Sequence, residues 1–275
     1  MKKFILFTKT LIEKINENDI MPLASELTYR MIFSLFPFII FLIALVGYLN
    51  IDSDFLLAEV FAAFPLQIAQ VIDGVISETV DTRSPTTLSA SLLVSLLSVT
   101  TGFRAIMRGI NKVYGQTDNR SAAIRWLYSA VLVLALAVGI ISSLIVIIYG
   151  DMVYSLITRH FSASPVFSLI FGLAGILATM TIMLATIILI YRLSSCQKIK
   201  VISLIPGAML TLVVWAGASK LFNFYINNFS SHSRIYGSIA SIILTMLWLN
   251  IVSATILIGA QTNAILNVNN SAAIK

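Results

Sequence analysis

The chain has 275 residues, of which 58% are hydrophobic and 11% are charged, and its mean hydropathy is +0.95. Soluble globular domains contain roughly 45–50% apolar and about 25% charged residues. This composition therefore argues against a cytosolic enzyme, a secreted domain or a disordered tail, and it indicates contact with lipid. The single cysteine, Cys196, has no partner for an internal disulfide and cannot alone supply a thiolate metal cluster.

The N-terminal segment, residues 1–21, predicts an amphipathic helix on the cytoplasmic surface of the membrane. Its apolar residues recur near one helical face, and its charged residues fall elsewhere. The apolar residues are Phe4, Phe7, Leu11 and Ile15, and the charged residues are Lys3, Lys9, Glu13 and Lys14. Pro22 marks the boundary with the domain that follows.

Six later stretches are long and apolar enough to cross a hydrocarbon core, which takes about 20 helical residues. They lie near residues 27–49, 85–106, 126–149, 166–191, 201–224 and 236–265. The predicted fold is therefore an all-α polytopic membrane protein, with one domain of six transmembrane helices over residues 22–266 and a short cytoplasmic tail, 267–275. The apolar but interrupted stretch 55–80 predicts short amphipathic helices in the first outer loop.

Basic residues give an independent prediction of orientation, because Lys and Arg accumulate in short cytoplasmic loops. With both termini inside, six spans place all but four of the 18 basic residues on the cytoplasmic side. The four on the outer side are Arg83, Arg159, Lys220 and Arg234. With five or seven spans, the basic residues would not collect on one side of the membrane. Charge and hydropathy therefore agree on six spans.

Three blocks of sequence carry a family resemblance. The blocks are Ala24–Arg30 with Ser34–Pro37, then Gly102–Gly115, then Tyr225–Asn228 with Tyr236–Gly237, Leu247–Leu249 and Gly259–Asn263. In this order they resemble the YihY / BrkB family of bacterial inner-membrane proteins over nearly the whole chain. The resemblance implies a six-span helical protein of the bacterial cytoplasmic membrane and leaves its activity open. An older family name, ribonuclease BN, is generally considered a mistake.

Gln261 departs from the family pattern, in which this position commonly carries Glu. The departure argues against any mechanism that needs a carboxylate there.

Glu26 and Arg30 form a candidate cytoplasmic site at the start of the first span. They are four residues apart with the acid first, the favourable order for a helical ion pair. Ser34 and Pro37 continue the same face into the membrane. The pair would serve as a gate or a headgroup contact, or alternatively it anchors the first span at the interface.

The helix at the end of the second span places Arg104, Arg108 and Asn111 on one face near the inner headgroups. Arginine is well shaped to bind the phosphate of an anionic lipid. The alternative is an orientation signal that holds this loop inside, and the two interpretations are compatible.

Two prolines predict kinks in the cytoplasmic parts of spans one and five. Pro37 and Pro206 each remove a backbone donor and free the carbonyl four residues earlier. Broken helices expose carbonyls to substrates in many transporters, but kinks also serve packing alone.

A polar group is predicted near the outer end of span five and in the loop after it. Its members are Lys220, Asn223, Asn227, Asn228, Arg234 and Tyr236. Together they would line an outer cavity for a polar headgroup or an anionic solute. Alternatively, Lys220 extends its ammonium group to the outer interface.

Span six carries a candidate intramembrane polar face formed by Asn250, Gln261 and Asn263. Asn250 and Gln261 are 11 residues apart, close to three helical turns. Buried amides typically bond neighbouring helices, with about 0.6 kcal/mol each and at most about 2 kcal/mol. The alternatives are helix packing and a polar pathway.

Signatures of catalysis are absent from the sequence. His160 and His232 stand alone in separate outer loops, whereas a zinc nuclease needs clustered ligands. The basic residues do not form an aromatic-interleaved patch for nucleic acid. We therefore expect no enzyme, no cofactor, no metal and no nucleic-acid partner, and a ribonuclease is not supported.

The leading hypothesis is a transporter not driven by ATP, or a protein that handles lipids or other amphiphiles, in the bacterial cytoplasmic membrane. Membrane lipids, including anionic headgroups, are its expected partners. The alternative is a structural or partner-binding membrane protein that supports envelope integrity, and a membrane enzyme that uses carboxylates of the first outer loop, such as Asp73 and Glu78, comes third. A homo-oligomer or another membrane-protein partner stays open.

Overall fold

The computed structural model describes residues 2–48, 85–160, 165–197, 199–229 and 233–272, and almost all of them are helical. In chain order the helices are α1 (Lys2–Glu17), α2 (Ile20–Tyr48), α3 (Pro85–Val113), α4 (Ala122–His160), α5 (Pro165–Ser194), the 3-10 helix Val201–Leu204, α6 (Ile205–Phe229) and α7 (Ser233–Ala272). The described residues contain no strand, so the all-α prediction is confirmed.

Four of the described helices contain a stretch long and apolar enough to cross a membrane. These stretches are Ala122–Val146, Val166–Ser194, Val201–Phe222 and Ile243–Asn267. They overlap the last four predicted spans, whereas the first two predicted spans fall on α2 and α3. The count of six spans stays a prediction, and the predicted outer-loop helices of residues 55–80 lie outside the described residues.

The buried core of the described residues lies at the end of the bundle that the charge pattern assigns to the cytoplasm. α2 contributes residues near its start, and α3 contributes residues near its carboxyl end. Fully buried side chains include Ile20, Met107, Ile110, Leu132, Tyr191, Leu204 and Leu257. α7 packs against α1, α2, α3 and α6 and so connects these helices around the core. Polar groups at this end are therefore held by packed helices.

The predicted surface segment corresponds to α1, whose Ile5, Leu6 and Ile12 side chains are exposed. Lys9 and Glu13 form an ion pair at 3.9 Å along the same helix. Just after α1, the side-chain amide of Asn18 donates to Oε1 of Gln261 at 2.6 Å. This bond ties the end of α1 to α7, while attachment of α1 to a membrane stays a prediction.

Candidate functional site

Glu26 lies between two arginines at the start of α2. Its Oε1 accepts a hydrogen bond from Nε of Arg30 at 3.0 Å and faces Nη2 of Arg108, on α3, at 3.6 Å. The predicted pair of Glu26 and Arg30 is present, and the fold brings Arg108 to the same carboxylate. Two residue groups that the sequence places 70 or more positions apart thus form one site.

More positive charge surrounds this carboxylate than it can neutralise. Partial burial is the largest cause that lowers the pKa of the Arg108 guanidinium, and repulsion from neighbouring arginines lowers it further while Glu26 opposes them. The neighbours are Arg30, Arg104 and Arg125. Arginine keeps its charge in proteins despite such shifts. We call these four arginines, with Glu26 among them, the arginine cluster.

Arg104 adds an unsatisfied donor to the arginine cluster. Its Nε is buried and has no hydrogen-bond partner among the described residues. Buried donors without partners are rare in proteins and call for an explanation such as an absent ligand or water. The donor set of the cluster, planar guanidinium groups, suits a phosphate or carboxylate.

A groove of about 340 Å³ lies beside the arginine cluster, between α2 and α3. Its apolar lining consists of Leu23, Leu27, Ala105, Gly109 and Leu257, and its charged lining consists of Glu26, Arg108 and Lys112. Lys112 pairs with Asp19 at 3.7 Å. The groove thus combines an apolar wall with a charged edge, as the boundary between acyl chains and headgroups does.

Ser34 does not belong to the charged site, which corrects its prediction as a gate or headgroup contact. The side chain is buried, and its Oγ donates to the carbonyl of Met31 at 3.0 Å. A methyl group on Gly102 of α3 would lie 2.6 Å from this oxygen. Ser34 therefore marks the close crossing of α2 and α3. Pro37 lies within α2, which continues as one helix to Tyr48.

Asn111 does not face headgroups either, which is a second correction. Its side chain is buried, and its amide nitrogen donates to the carbonyl of Ser194 at 2.8 Å. Its amide oxygen accepts from the backbone N–H of Cys196 at 2.9 Å. The residue binds the carboxyl end of α5, because the last carbonyls of a helix lack partners within it.

Arg120 completes this attachment, which sequence reasoning missed. Its guanidinium donates to the carbonyls of Leu193 at 3.2 Å and Ser194 at 2.9 Å. Its Nε and Nη2 also bond the two carboxylate oxygens of Asp118 at 2.9 and 3.2 Å. A cation at a helix carboxyl end is favourable because the exposed carbonyls are partly negative. The Asp-x-Arg spacing was the only signal in the sequence.

The Asp118–Arg120 pair is largely buried, with side chains 8% and 16% exposed respectively. Burial alone would raise the pKa of the Asp118 carboxyl, but hydrogen bonds from Arg120 outweigh it and hold that pKa below the ordinary value of 3.8. We call Asn111, Asp118 and Arg120 the α5 clamp. It positions α5 next to α3, the helix that carries Arg104 and Arg108.

The amides of α7 bond to neighbouring helices. Asn250 donates to the hydroxyls of Ser25 and Thr28 of α2, each at 3.3 Å, and Gln261 accepts the bond from Asn18. These contacts match the packing interpretation of the candidate polar face. A polar pathway along these residues stays a prediction.

Asn263 binds the start of α6. The structure there differs from the predicted kink at Pro206. Its Oδ1 accepts from the N–H of Gly207 at 2.7 Å, and its Nδ2 donates to the carbonyl of Leu204 at 3.1 Å. Pro206 is the second residue of α6. In the first turn of a helix the missing N–H costs nothing, so Pro206 begins a helix after a 3-10 turn and does not bend one.

The crossing of α6 and α7 requires two glycines. A side chain on Gly207 would overlap the carbonyl of Gly259, and one on Gly259 would overlap the hydroxyls of Thr211 and Tyr191. The Tyr191 hydroxyl lies 2.6 Å from that of Thr211 and donates to the carbonyl of Ile256 at 2.9 Å. Three helices meet here through backbone contact and a buried hydroxyl pair.

The predicted outer polar group is only partly described. Lys220 is exposed, and Asn228 lies inside α6, not in a loop. Arg234 and Tyr236 belong to the first turns of α7, again not to a loop. The side chains of Asn223, Asn227, Asn228, Arg234 and Tyr236 lie outside the described residues, so their convergence stays a prediction.

No group of three or more potential metal-binding side chains, counting His, Cys, Asp and Glu, occurs in the described part of the chain. The side chains of His160 and His232 lie outside that part.

These features define the class of protein as an all-helical membrane protein. The chain belongs to the Virulence factor BrkB family, whose model matches residues 11–275. This confirms the resemblance found in the sequence.

Curated relatives include both membrane-protein and ribonuclease-like names. The chain is 28% identical to a ribonuclease-like protein, YfkH, of Bacillus subtilis (strain 168), over 95% of each chain. It is 24% identical to a UPF0761 membrane protein of Histophilus somni (strain 129Pt), over 95% of this chain and 90% of the relative. It is 26% identical to another of Aeromonas salmonicida (strain A449), over 72% and 65%. No solved structure matches.

Proposed function

We propose that this chain handles anionic lipids in the bacterial cytoplasmic membrane, with six spans and both termini in the cytoplasm. The single observation that carries the proposal is the arginine cluster, in which Arg30 and Arg108 share one carboxylate and Arg104 and Arg125 lie close enough to Arg108 to repel it. Arginine forms paired hydrogen bonds with phosphate oxygens. The proposed topology puts the cluster at the level of the inner headgroups, which are negatively charged.

The groove beside the cluster supports a lipid over a polar solute. Its wall is apolar while its edge carries Glu26, Arg108 and Lys112. A free polar solute gains little from an apolar wall, whereas a phospholipid matches both parts. Lipid handling is therefore the better supported half of the transporter or lipid-handling hypothesis.

A second candidate function, a structural or partner-binding role, has its own supporting observation. The amides of Asn250, Gln261 and Asn263 are engaged in bonds between helices. These are contacts that stabilise a bundle, and they offer no route through it. In this alternative, the arginine cluster binds lipid only to orient the protein.

Binding of a fluorescent phosphatidylglycerol to the purified protein in neutral detergent micelles tests the proposal. We expect Arg108→Ala to weaken binding about tenfold, which corresponds to about 1.4 kcal/mol. Arg192→Ala is the matched control, since Arg192 is an exposed arginine in the last turn of α5. Equal binding by the Arg108 variant and the unchanged protein would refute the proposal.

Movement of lipid between leaflets separates the two candidate functions. Proteoliposomes should accelerate the exchange of labelled phosphatidylglycerol relative to empty liposomes if the protein transfers lipid. Specific binding without acceleration would favour the structural role.

A further inference from the structure

We infer that Glu26 is an internal competitor for the lipid phosphate: its carboxylate occupies the arginine cluster until an anionic headgroup displaces it. The inference rests on the proposed function and assigns a role to a residue of the opposite charge. It predicts that removing this acid strengthens lipid binding, whereas removing a neighbouring arginine weakens it.

The geometry of Glu26 is that of an anion shared by two cations. A single oxygen, Oε1, faces both Arg30 and Arg108. The contact with Arg30 is a hydrogen bond at 3.0 Å. The contact with Arg108, at 3.6 Å, is too long for one. The donors of Arg108 are therefore attracted to the carboxylate but are not held by it.

The ion pairs of Glu26 are accessible and weak enough to be displaced. The side chains of Glu26, Arg30 and Arg108 are 51%, 41% and 54% exposed. Exposed ion pairs are weak because water and salt screen them. A phosphate brings several acceptor oxygens and can bond two guanidinium groups at once. Glu26 forms no hydrogen bond with the buried Nε of Arg104, which has no partner among the described residues.

The sequence supplies a matched control for the loss of an acid. Glu13 forms an ion pair with Lys9 at four-residue spacing on α1, as Glu26 does with Arg30 on α2. Both glutamates are about half exposed, with Glu13 at 56%. Glu13→Gln therefore changes net charge by the same amount as Glu26→Gln but leaves the arginine cluster intact.

The test measures the dissociation constant of fluorescent phosphatidylglycerol in neutral micelles for the unchanged protein, Glu26→Gln and Glu13→Gln. We expect Glu26→Gln to bind roughly two- to tenfold more tightly, the gain from releasing two exposed ion pairs. Glu13→Gln should bind as the unchanged protein does. If Glu26→Gln does not fold, Glu26→Asp shortens the acid by one methylene and should give a smaller gain.

The outcomes distinguish this inference from the proposed function. Unchanged or weaker binding by folded Glu26→Gln, with Arg108→Ala still impaired, overturns the competitor role and leaves lipid binding standing. Unaltered binding by Arg108→Ala overturns both. Soluble glycerol phosphate serves as a second probe: the same order of affinities for it would show that the cluster recognises phosphate without its lipid.

Discussion

The side-chain oxygen of Asn263 accepts a hydrogen bond from the backbone N–H of Gly207 at 2.7 Å, so that α7 caps the start of α6. The first N–H groups of a helix have no partner within it. A side chain of the same helix usually supplies one, whereas here a residue 56 positions later does. The same amide binds the carbonyl of Leu204, on the other side of Pro206.

Asn263→Ala should destabilise the protein by about 1–2 kcal/mol. The substitution leaves the buried N–H of Gly207 without this partner and removes one hydrogen bond to the buried carbonyl of Leu204, and a buried donor without a partner has no compensation for leaving water. The measurement is thermal unfolding in detergent. Leu221→Ala is the control, because Leu221 is exposed on α6. An equal effect of both substitutions would show that the cap contributes nothing.

Gly207→Ala should lower the unfolding temperature far more than Gly217→Ala on the same helix. A methyl group at Gly207 meets the carbonyl of Gly259 and the side chain of Asn263, and neither can move without separating α6 from α7. A methyl group at Gly217 meets nothing within 4 Å, and alanine is the better helix former by about 1 kcal/mol. The opposite order would contradict the described crossing.

The folded protein should become less stable as the pH falls, because the α5 clamp depends on the ionised carboxyl of Asp118. Because the pKa of this carboxyl is below 3.8 in the folded protein, the folded state favours the ionised form. Its contribution is complete above the unfolded pKa and is lost as pH falls through the lower folded pKa. Asp118→Asn should therefore be less stable than the unchanged protein at about pH 5.

The difference in stability between Asp118→Asn and the unchanged protein should shrink below pH 3.8, because the Asp118 carboxyl then takes up a proton. Unfolding temperatures measured across this range check the prediction, with Glu17→Gln on α1 as the control. A difference that is independent of pH would exclude the ion pair as its source.

Cys196 allows the orientation to be tested without engineering, because it is the only cysteine of the chain. It is exposed in the segment after α5, which the six-span prediction places in the cytoplasm. A membrane-impermeant maleimide should label inverted membrane vesicles and leave intact spheroplasts unlabelled. Labelling of the spheroplasts would overturn the proposed topology.

The labelling should be faster at alkaline pH. Partial burial of the thiol and its hydrogen bond to Asp118 raise the pKa of Cys196 above the ordinary value of 9.0, and the thiolate is the reactive form. Asp118→Asn should therefore increase the rate near neutral pH. Labelling of the denatured protein measures the total amount of Cys196 thiol that can react.

The long helices were predictable because lipid imposes length and apolarity on each segment by itself. The last four predicted spans overlap helices of the required composition. Pro206 was misjudged because hydropathy runs without interruption from Val201 to Phe222, although the chain forms a 3-10 turn before α6 begins. Pattern alone does not show where a helix starts inside an apolar run.

Of the charged site, only the contact between neighbouring residues of one helix was predictable. The four-residue spacing of Glu26 and Arg30 indicates their contact, but nothing in the sequence brings Arg108 to them, since that depends on how α2 packs along α3. Asn111 shares a helix with Arg108, yet it is buried against the end of α5. The Asp118–Arg120 pair was missed because short loop charges are usually exposed, and here α5 covers them.

The α5 clamp holds the carboxyl end of α5, and aromatic contacts of Phe167 and Phe171 with Tyr154 of α4 hold its amino end. Tyr191, Leu193 and Ser194 make their hydrogen bonds to other elements at the carboxyl end, and the buried residues of the Val166–Ser194 stretch are Ile190, Tyr191 and Ser194, all at that end. Those 29 residues extend about 44 Å at 1.5 Å per residue, beyond a hydrocarbon core of about 30 Å. A helix longer than the bilayer is thick accommodates the excess by tilting, by kinking or by thickening the bilayer locally. The contacts of α5 with α4 and with the α5 clamp, and not its length alone, would therefore set its tilt.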